Sequence, residues 1–487
     1  MTRTRDLPVF PVSPDPVRPG VSPDVAPVRL EIEATGSPSG PRIALVTLGC
    51  DKNTVDSERM MASLVGHGAL VSSDVDDAEV VIVNTCGFIQ SAKEESIETI
   101  LDACSLKAEG ALKAVIAVGC LVQRHGEELE REIPEVDLFM GLTELPGLVP
   151  ELRTRGLLPP EDETVPTMER PLRILATETP HTSFLKVSEG CDHTCAFCAI
   201  PLMRGLHRSH PVEELVREAA GLEAAGVREI NIVSQDTTWY GRDLRRHDRS
   251  APLLPDLLRA LVDGTSIPWY RLFYMYPSGL TRELVDLIAA EPRIVPYLDV
   301  PIQHGADRVL ELMRRPERRK TIRERVGWLR DAIPDLTLRT TVIVGFPGET
   351  DDDFREMLDL LEELRFERVG AFTYSVEEGT RAAEMPGRVD DDVMTERIEE
   401  VMEVQRAISA ERNAEMLGRT LDVLIDHRLD DDPDFAAVGR TAGQAIDVDG
   451  VTHLRASAGT GPLAAGELVR AKIVEALDYD LVGEIGG

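Results

Sequence analysis

Apolar runs and amphipathic stretches alternate through the first third of this 487-residue chain. The apolar runs are RIALVTLGC, AEVVIVNTC and KAVIAVGC, and a helical pattern follows each of them. A short continuous apolar run is typical of a strand buried on both faces, and strands that alternate with helices form parallel sheets. The pattern therefore predicts a three-layer α/β domain over residues 41–152.

A second series of alternating strands and helices occupies residues 177–408. Its strand-like runs are FLKVSEG, EINIVSQD, WYRLFYMYP, PYLDVPIQH, LRTTVIVGFPGE and VGAFTYS. Six consecutive βα repeats predict a partial (β/α)6 barrel of parallel strands. Binding and catalytic groups of such a barrel lie at the carboxyl ends of its strands.

The two ends of the chain differ from this pattern. Residues 411–487 contain short runs such as TLDVLIDH and VTHLRAS, separated by Gly, Pro and Asp, which predict a small antiparallel β-barrel. Residues 1–40 are rich in Pro, Ser and Gly and predict a disordered arm. The stretch LLPPEDETVPTMERP is the predicted linker between the first two domains.

The charge balance narrows the set of partners. The chain carries 53 Lys and Arg against 86 Asp and Glu, a net charge of −33. Such a surface repels phosphates and attracts basic partners, although acidity that serves only solubility gives the same balance. No apolar run is long enough to cross a membrane, and the first forty residues lack the apolar core of a signal peptide. We therefore expect a cytoplasmic protein without a membrane partner.

Three cysteines share one short stretch, EGCDHTCAFCAIPLMRG. Cys191, Cys195 and Cys198 have the spacing C-x3-C-x2-C, which suits a [4Fe–4S] cluster with one iron left free to bind a small molecule. The alternatives are a zinc site or unpaired structural cysteines. Zinc sites usually take four ligands in paired C-x2-C groups, so the cluster is the favoured interpretation.

Three more cysteines end the three apolar runs of the first domain, namely Cys50, Cys86 and Cys120. Ligands gather at the carboxyl ends of parallel strands, so these thiols are expected to meet at one edge of the sheet. The sequence thus predicts a second cluster with a free iron, against the alternative of small buried apolar residues. Cys104 fits neither triplet and is predicted to be structural. An odd count of seven cysteines argues against a disulfide framework.

The motifs around the cysteines extend this interpretation. TLGCDKNTVDSE, VNTCGFI, CDHTCAFCAIPLMRG and GFPGET together resemble the methylthiotransferase branch of the radical S-adenosylmethionine (SAM) enzymes. The resemblance covers nearly everything after residue 40. It implies an N-terminal domain with an auxiliary cluster, a radical-SAM barrel and a C-terminal TRAM domain. It also implies two [4Fe–4S] clusters and SAM as cofactors. An iron–sulfur electron carrier is disfavoured, because carriers usually give each cluster four protein ligands.

The resemblance further implies a choice between two substrates. One branch modifies the β-carbon of an aspartate in the twelfth small-subunit ribosomal protein, and the other modifies an adenosine in tRNA. The stretches DKN after Cys50, SQDTTWYG and DVPIQHGADRVL are similar to the first branch. Residues 411–487 carry 15 Asp and Glu against 7 Lys and Arg, which suits a basic ribosomal protein better than RNA. We therefore expect the basic ribosomal protein as substrate, with nucleic acid disfavoured as a direct substrate.

The resemblance also implies a mechanism. The cluster at Cys191, Cys195 and Cys198 would reduce SAM to give a 5′-deoxyadenosyl radical, which removes a hydrogen from the unactivated carbon. The cluster at Cys50, Cys86 and Cys120 would hold the sulfur that is transferred as a methylthio group. The cofactors carry this chemistry and the protein orients them, so no side chain is assigned as a catalytic acid or base. An electron-donor protein is an expected partner.

Five residues outside the triplets are weaker candidates for binding SAM. Phe197 lies in the cluster loop, Gln235 and Gln303 end strand-like runs, and Gly345 and Gly348 lie in the loop after VIV. The alternatives are a packing aromatic, polar groups at the barrel rim and a tight turn. Further candidates have solvated or structural roles as their alternatives: Asp236 and His304 beside the glutamines, Pro347 in the loop, His193 as a residue near the cluster, Arg204 and Arg208 as carboxylate partners, and the run Asp430 to Asp434 as a dock for basic residues.

Overall fold

The computed structural model describes residues 40–72, 75–160, 172–175, 179–456 and 461–486. The predicted arm, apart from Gly40, and most of the predicted linker lie outside the described residues. Contacts divide the chain into two compact units. The first consists of Met1–Glu178 with Ala199–Leu206, and the second of Thr179–Cys198 with His207–Gly487.

The first unit is built on a parallel five-stranded sheet with the strand order β2-β1-β3-β4-β5. Its strands are β1 (Arg42–Thr47), β2 (Leu70–Ser72), β3 (Val80–Thr85), β4 (Ala114–Gly119) and β5 (Leu138–Gly141). Its helices are α1 (Asp51–Val65), α2 (Gln90–Ala108), α3 (Cys120–Glu132), α4 (Leu148–Thr154) and α5 (Ile200–Arg204). Alternate residues of the central strands enter two separate hydrophobic clusters, one on each face of the sheet. The predicted three-layer α/β fold is confirmed, and the apolar runs are explained by burial on both faces.

The second unit contains the predicted partial barrel. Its six parallel strands follow chain order across the sheet. They are β6 (Thr182–Lys186), β9 (Glu229–Val233), β10 (Trp269–Leu272), β11 (Ile294–Asp299), β12 (Thr337–Val344) and β13 (Arg368–Thr373). The helices are α6 (Val212–Ala224), α7 (Leu254–Gly264), α8 (Arg282–Ala290), α9 (Asp307–Leu312), α10 (Arg319–Ala332), α11 (Asp351–Leu364) and α12 (Asp391–Ala414). A small hairpin-like pair, β7 (Ser188–Glu189) and β8 (Arg208–Ser209), brackets the second cysteine triplet.

The end of the chain forms the predicted closed β-barrel, with the order β14-β15-β16-β18-β17. Its strands are β14 (Thr420–Arg428), β15 (Ala437–Thr441), β16 (Thr452–Ala456), β17 (Leu468–Ala476) and β18 (Leu481–Ile485). The prediction of a small barrel is confirmed, but β16 and β18 pair in parallel rather than antiparallel fashion. A closed ring of five strands cannot alternate direction all the way around, so one pair has to be parallel.

Buried charges connect this small barrel to the strands of the partial barrel. Glu229 on β9 accepts hydrogen bonds from Arg271 at 2.8 Å and from Arg440 at 2.6 Å. Arg440 also donates to Asp426 at 2.8 Å, and Asp426 lies 3.0 Å from a ring nitrogen of His181. The network leaves each carboxylate with a cationic partner, which buried charges require. Among the described helices, none is long and apolar enough to cross a membrane.

Candidate metal centres

The first cysteine triplet lies where the parallel strands of the first unit end. Cys50 precedes α1, Cys86 directly follows β3, and Cys120 begins α3 directly after β4. The register pairs Thr47 with Asn84 and Thr85 with Gly119, so these strand ends are level. The structure therefore brings the three predicted ligands to one edge of the sheet, with Cys50 exposed and the other two buried.

Close packing holds the loop of Cys50 against Cys86. Gly49 has a φ of +91°, and a Cβ atom at this position would lie 2.8 Å from the sulfur of Cys86. Only glycine satisfies both the left-handed backbone and the close approach. The glycine of the LGC sequence is thus a requirement for placing Cys50 beside Cys86.

Asn53 joins the strand ends that carry the thiols. Its amide nitrogen donates to the carbonyl oxygens of Leu48 at 2.7 Å and Thr85 at 3.1 Å. Its amide oxygen lies 3.8 Å from the sulfur of Cys120. The side chain is fully buried, so these bonds fix the first turn of α1 relative to β1 and β3. The sequence analysis treated Asn53 only as part of a family motif and did not predict that it joins α1 to the ends of β1 and β3.

Arg204 has a role that the sequence did not predict. Its guanidinium donates to Asn53 at 2.6 Å and to Asp56 at 3.1 Å, inside the first unit. The side chain is buried, and its guanidinium forms an ion pair with Asp56. The solvated alternative for Arg204 is therefore wrong, while a contact with a carboxylate of SAM or substrate stays a prediction. By contrast, Arg208 on β8 is exposed, as its solvated alternative states.

The chemistry of the first triplet fits iron. Burial, with a contribution from Cys50, raises the pKa of the Cys86 thiol to about 11, and burial raises that of Cys120 to about 12. Buried thiols of this kind become thiolates when a cation replaces their protons. No group of three His, Cys, Asp or Glu side chains in the described ranges is arranged around a single metal ion. The three thiolates of a [4Fe–4S] cluster bind different irons, so their sulfur atoms lie further apart than the ligands of a single ion. The absence of a single-ion site in the described ranges is therefore compatible with a cluster.

The second triplet lies in the loop between β7 and α5. The loop is fixed by backbone bonds of Ala196, whose amide donates to Met313 at 2.9 Å and whose oxygen accepts from Ala382 at 2.8 Å. Burial raises the pKa of Cys191 to about 12, while Cys195 and Cys198 are partly exposed. Phe197 packs partly buried against a cluster that includes Ala306, Phe346 and Tyr374, which matches the packing alternative for this residue.

Two residues that the sequence did not single out surround Cys195. The hydroxyl of Tyr276 lies 3.7 Å from the sulfur of Cys195. The guanidinium of Arg315 lies 3.6 Å from the centre of the Tyr276 ring and forms an ion pair with Glu317 at 3.2 Å. A cation and a hydroxyl next to a thiolate stabilise its negative charge. No local sequence signal marks either residue, because they come from two separate loops, Tyr276 after β10 and Arg315 between α9 and α10.

His193 orients a carboxylate at the barrel rim. One ring nitrogen lies 2.7 Å from Asp236, which follows Gln235 in the loop after β9. The imidazole stacks on Tyr276 with ring centres 4.1 Å apart and meets Trp239 edge-on at 4.8 Å. The prediction that His193 is a supporting residue rather than a ligand agrees with these contacts. The other oxygen of Asp236 accepts from the Thr238 amide and hydroxyl, so its position is fixed.

The remaining candidates occupy the carboxyl ends of β9, β11 and β12. The amide oxygen of Gln235 is buried without a hydrogen-bond partner among the described residues. Gln303 has a φ of +70°, and its backbone pairs with β12 through Thr341 and Ile343. His304 lies next to it and is fully buried, with one ring nitrogen accepting from the amide of Ala306.

The loop containing Gly345 and Gly348 is held from inside by Glu349. Its carboxylate accepts from the amides of Gly345 at 2.8 Å and Phe346 at 3.2 Å, and from Arg397 at 2.7 Å. Both glycines have positive φ, and a Cβ atom at Gly345 would lie 2.2 Å from the sulfur of Met394. These contacts account for glycine at 345 by turn geometry and packing. They favour the tight-turn alternative there, while a SAM contact of either glycine stays a prediction.

Three family models match the chain in order. They are Uncharacterized protein family UPF0004 over residues 42–141, the Radical SAM superfamily over 185–361 and the TRAM domain over 417–485. Among curated proteins, the chain is 46% identical to ribosomal protein uS12 methylthiotransferase RimO of Anaeromyxobacter sp. (strain K). The match covers 91% of this chain and 93% of that protein. The RimO of Geobacter sulfurreducens is 41% identical over 91% of this chain and 98% of its own length.

The chain belongs to the RimO family. Membership confirms the predicted methylthiotransferase branch and its three-part fold. Among solved structures, the cobalamin-dependent SAM radical enzyme OxsB matches with a TM-score of 0.50 and 13% identity, covering 76% of this chain and 56% of that one. At this identity the likeness concerns the fold alone. The individual ligands of this RimO family member stay predictions that the geometry above supports.

Proposed function

We propose that this protein is a radical-SAM methylthiotransferase that modifies the β-carbon of an aspartate in ribosomal protein uS12. The observation that carries the proposal is identity of 40–46% to RimO proteins over at least 91% of the chain. The same relatives contradict the alternative of a tRNA adenosine, because their names specify the ribosomal protein. The acidic balance of residues 411–487 agrees with a basic protein substrate.

Two [4Fe–4S] clusters and SAM are the cofactors. Cys191, Cys195 and Cys198 would hold one cluster, and Cys50, Cys86 and Cys120 the other. When bound, these groups supply reductive SAM cleavage, hydrogen abstraction and the transferable sulfur. The tasks of the chain itself are to hold the thiolates in place, orient SAM and substrate, and exclude water.

The residues around Cys195 suit these tasks. Tyr276 and Arg315 place a hydroxyl and a positive charge beside the thiolate, and both are buried. Asp236, positioned by His193 and Thr238, is a fixed acceptor for the ammonium group of an amino acid. We infer that Asp236 and the neighbouring Gln235, with its unpartnered oxygen among described residues, bind the methionyl part of SAM. Gln303 at the end of β11 is the corresponding candidate for the ribose or the substrate.

The proposal also includes a cellular location and a source of electrons. We propose a cytoplasmic location, because the substrate is a ribosomal protein and the cysteines are expected to bind iron in a reducing compartment. An electron-donor protein is the proposed source of the reducing electron. Uptake of iron rather than formation of disulfides by the six predicted ligands would support this location.

Mass spectrometry of both substrates tests the proposal. Reconstituted enzyme with SAM and dithionite is offered uS12 and unmodified tRNA in parallel, without oxygen. A gain of about 46 Da, sulfur plus methylene, on an aspartate peptide of uS12 is expected. Cys195→Ala should abolish the gain, while Cys104→Ala should preserve it. A gain on tRNA alone would refute the assigned substrate.

A further inference from the structure

An arginine lies on the inner face of the partial barrel. Arg339 on β12 pairs in register with Asp299 on β11, and the face they share also carries Tyr297, which packs with residues of β9 and β10. One guanidinium nitrogen donates to Asp299 at 2.9 Å. Burial lowers the pKa of Arg339, but the charge of Asp299 outweighs this effect, so the guanidinium stays protonated. The nearby carboxylate of Asp449 instead accepts from Tyr297 at 2.8 Å.

Asp299 is itself held in place at the carboxyl end of its strand. It is the last residue of β11, and its second carboxylate oxygen accepts from the amide of Tyr274 at 3.1 Å. Tyr274 has a φ of +56°, a backbone conformation that is costly for a bulky side chain. Strained backbone of this kind is concentrated at functional sites. Here it fixes the carboxylate that orients Arg339.

Most of the hydrogen-bonding capacity of Arg339 is unused. A guanidinium has five N–H donors, and among the described residues only Asp299 accepts from this one. Arg440 in the same unit pairs with two carboxylates at once, those of Glu229 at 2.6 Å and Asp426 at 2.8 Å. The side chain of Arg440 is 2% exposed, whereas that of Arg339 is 15% exposed. Arg339 therefore has donors available for a second carboxylate.

A small space lies beside the unused donors, and we call it the Gly370 pocket. A Cβ atom at Gly370 on β13 would lie 3.4 Å from the Nη2 atom of Arg339, 3.4 Å from the ring of Phe372 and 3.7 Å from the hydroxyl oxygen of Thr341. β13 is an edge strand of the sheet, and Phe372 is 55% exposed. The missing side chain thus leaves a pocket lined by a cation, a hydroxyl and an aromatic ring, open to a partner from outside.

We propose that Arg339 and Thr341 bind, in the Gly370 pocket, the side-chain carboxylate of the uS12 aspartate that is modified. The inference rests on the proposed methylthiotransferase function. The reacting β-carbon is one bond away from this carboxylate, so a guanidinium that binds the carboxylate also restricts the position of the carbon. The substrate protein is basic but its reacting side chain is negative, and an acidic enzyme needs a dedicated cation to bind that side chain.

The methionyl carboxylate of SAM is the other carboxylate with suitable chemistry. Asp236, the inferred partner of the SAM ammonium group, follows β9, and β9 is three strands away from β12 in the sheet. Neighbouring strands are about 4.8 Å apart, which separates the two strands by roughly 14 Å along the sheet. The ammonium and carboxylate groups of an amino acid share one α-carbon and therefore lie much closer together. This separation favours the substrate aspartate as the ligand of Arg339.

Binding of two peptides tests the proposal. One peptide of uS12 contains the modified aspartate, and the other has asparagine at that position. Both are titrated calorimetrically into reconstituted enzyme with SAM, without oxygen or reductant. Gly370→Ala is the first test variant, because its methyl group fills the Gly370 pocket at ordinary contact distances and leaves the pair of Arg339 and Asp299 intact. Gly327→Ala on α10, with open space around its Cβ position, is the matched control.

A second variant tests the charge. Arg339→Gln removes the guanidinium, and Arg470→Gln at an exposed position of β17 is its charge-matched control. The wild type should bind the aspartate peptide at least about tenfold more tightly than the asparagine peptide, since a hydrogen bond between two charged groups is stronger than one to a neutral amide. Both test variants should bind the aspartate peptide as weakly as the wild type binds the asparagine peptide. Both controls should keep the wild-type preference.

The Kd for SAM, measured in the same way without peptide, separates the two carboxylates. It should stay within about twofold of the wild-type value in both test variants. Equal affinity of the wild type for the two peptides, or an unchanged preference in Gly370→Ala, would overturn the proposal, and Gly370→Ala decides if Arg339→Gln does not fold. Weaker SAM binding with an unchanged peptide preference would overturn it in favour of SAM. Failure of the wild type to modify uS12 would instead refute the proposed function, while the peptide preference still judges Arg339.

Discussion

The amide oxygen of Asn53 accepts a 2.6 Å hydrogen bond from the guanidinium of Arg204. Asn53 follows Cys50 by three residues and Arg204 follows Cys198 by six, yet both belong to the first compact unit. Helix α5 packs there through Met203, with Ala199 before it, against Cys120. The segment after the second triplet is therefore part of the structure that supports the first.

The hydrogen bond between Arg204 and Asn53 predicts that removing the Arg204 side chain lowers the free energy of unfolding by a large amount. Arg204→Ala removes the buried guanidinium that donates to Asp56 and Asn53, and breaking a buried ion pair costs about 3–5 kcal/mol. Denaturant unfolding should show this loss. Arg208→Ala removes an exposed arginine four residues away and should change stability by less than about 0.5 kcal/mol. Similar losses in both variants would contradict the structural role of Arg204.

Replacing single cysteines should remove one cluster at a time. We expect Cys86→Ala to lower the iron content by about four atoms per chain and to leave SAM cleavage intact. Cys195→Ala should lose the same amount of iron together with SAM cleavage. Cys104 belongs to a hydrophobic cluster of the first unit, so Cys104→Ala should keep the full iron content. Iron analysis and electron paramagnetic resonance after reconstitution measure these outcomes.

Removing the charge of Asp236 should weaken SAM binding without loss of iron. Asp236→Asn keeps the size of the side chain but replaces a carboxylate that faces His193. A charge-assisted hydrogen bond is about 1–2 kcal/mol stronger than a neutral one, so the Kd for SAM should rise about tenfold. Calorimetric titration of the reconstituted enzyme measures the change. Asp256→Asn, at an exposed carboxylate on α7, is the control, and equal affinities in both variants would refute the assignment.

A methyl group at residue 345 should destabilise the second unit by both strain and overlap. Gly345→Ala places a Cβ 2.2 Å from the sulfur of Met394 in a backbone with a φ of +75°. Gly226 has a φ of +98° but open space around its Cβ position, so Gly226→Ala isolates the backbone cost of about 1–3 kcal/mol. The free energy of unfolding should fall further for Gly345→Ala, since overlap adds about 1–3 kcal/mol. Equal losses would show that Met394 moves aside freely.

The buried charges around Asp426 predict a loss of stability in acid. Burial raises the pKa of Asp426, but the hydrogen bond from His181 and the charge and hydrogen bonds of Arg440 outweigh it and hold the pKa at about 2. The unfolded pKa is about 3.9, so the stabilisation is complete above about pH 5 and is lost as the pH falls towards 2. Asp426→Asn should cost about 3–5 kcal/mol at pH 7, and its difference from wild type should shrink below pH 4.

Denaturant unfolding between pH 7 and pH 2.5 measures this dependence. The control is Asp422→Asn, which alters an exposed carboxylate on the same strand, 3.9 Å from Arg470. Its effect should stay below about 0.5 kcal/mol over the whole range. A difference between wild type and Asp426→Asn that is constant with pH would contradict the proposed charge network.

Local sequence patterns were sufficient to predict the strands and helices and to select the six cysteines that are candidate cluster ligands. Runs such as VVIVNT predicted buried strands because burial on both faces demands continuous apolar residues. Cysteines at the ends of such runs predicted a common location because parallel strands end at the same edge. The motif around Cys191 was recognisable for a similar reason, since ligand spacing is a local property. The need for glycine before Cys50 became apparent only in the structure, from its close approach to Cys86.

The contacts that decide the chemistry around these cysteines came from distant parts of the chain. Tyr276 and Arg315 reach Cys195 from loops 81 and 120 residues away, and Arg204 reaches Asn53 across 151 residues. The sequence by itself determined the alternation of strands and helices, the ligand spacing and the acidic charge. Only the tertiary structure decided which charges are buried together and which remain in solvent, because the energy of a charge depends on the groups that folding places around it.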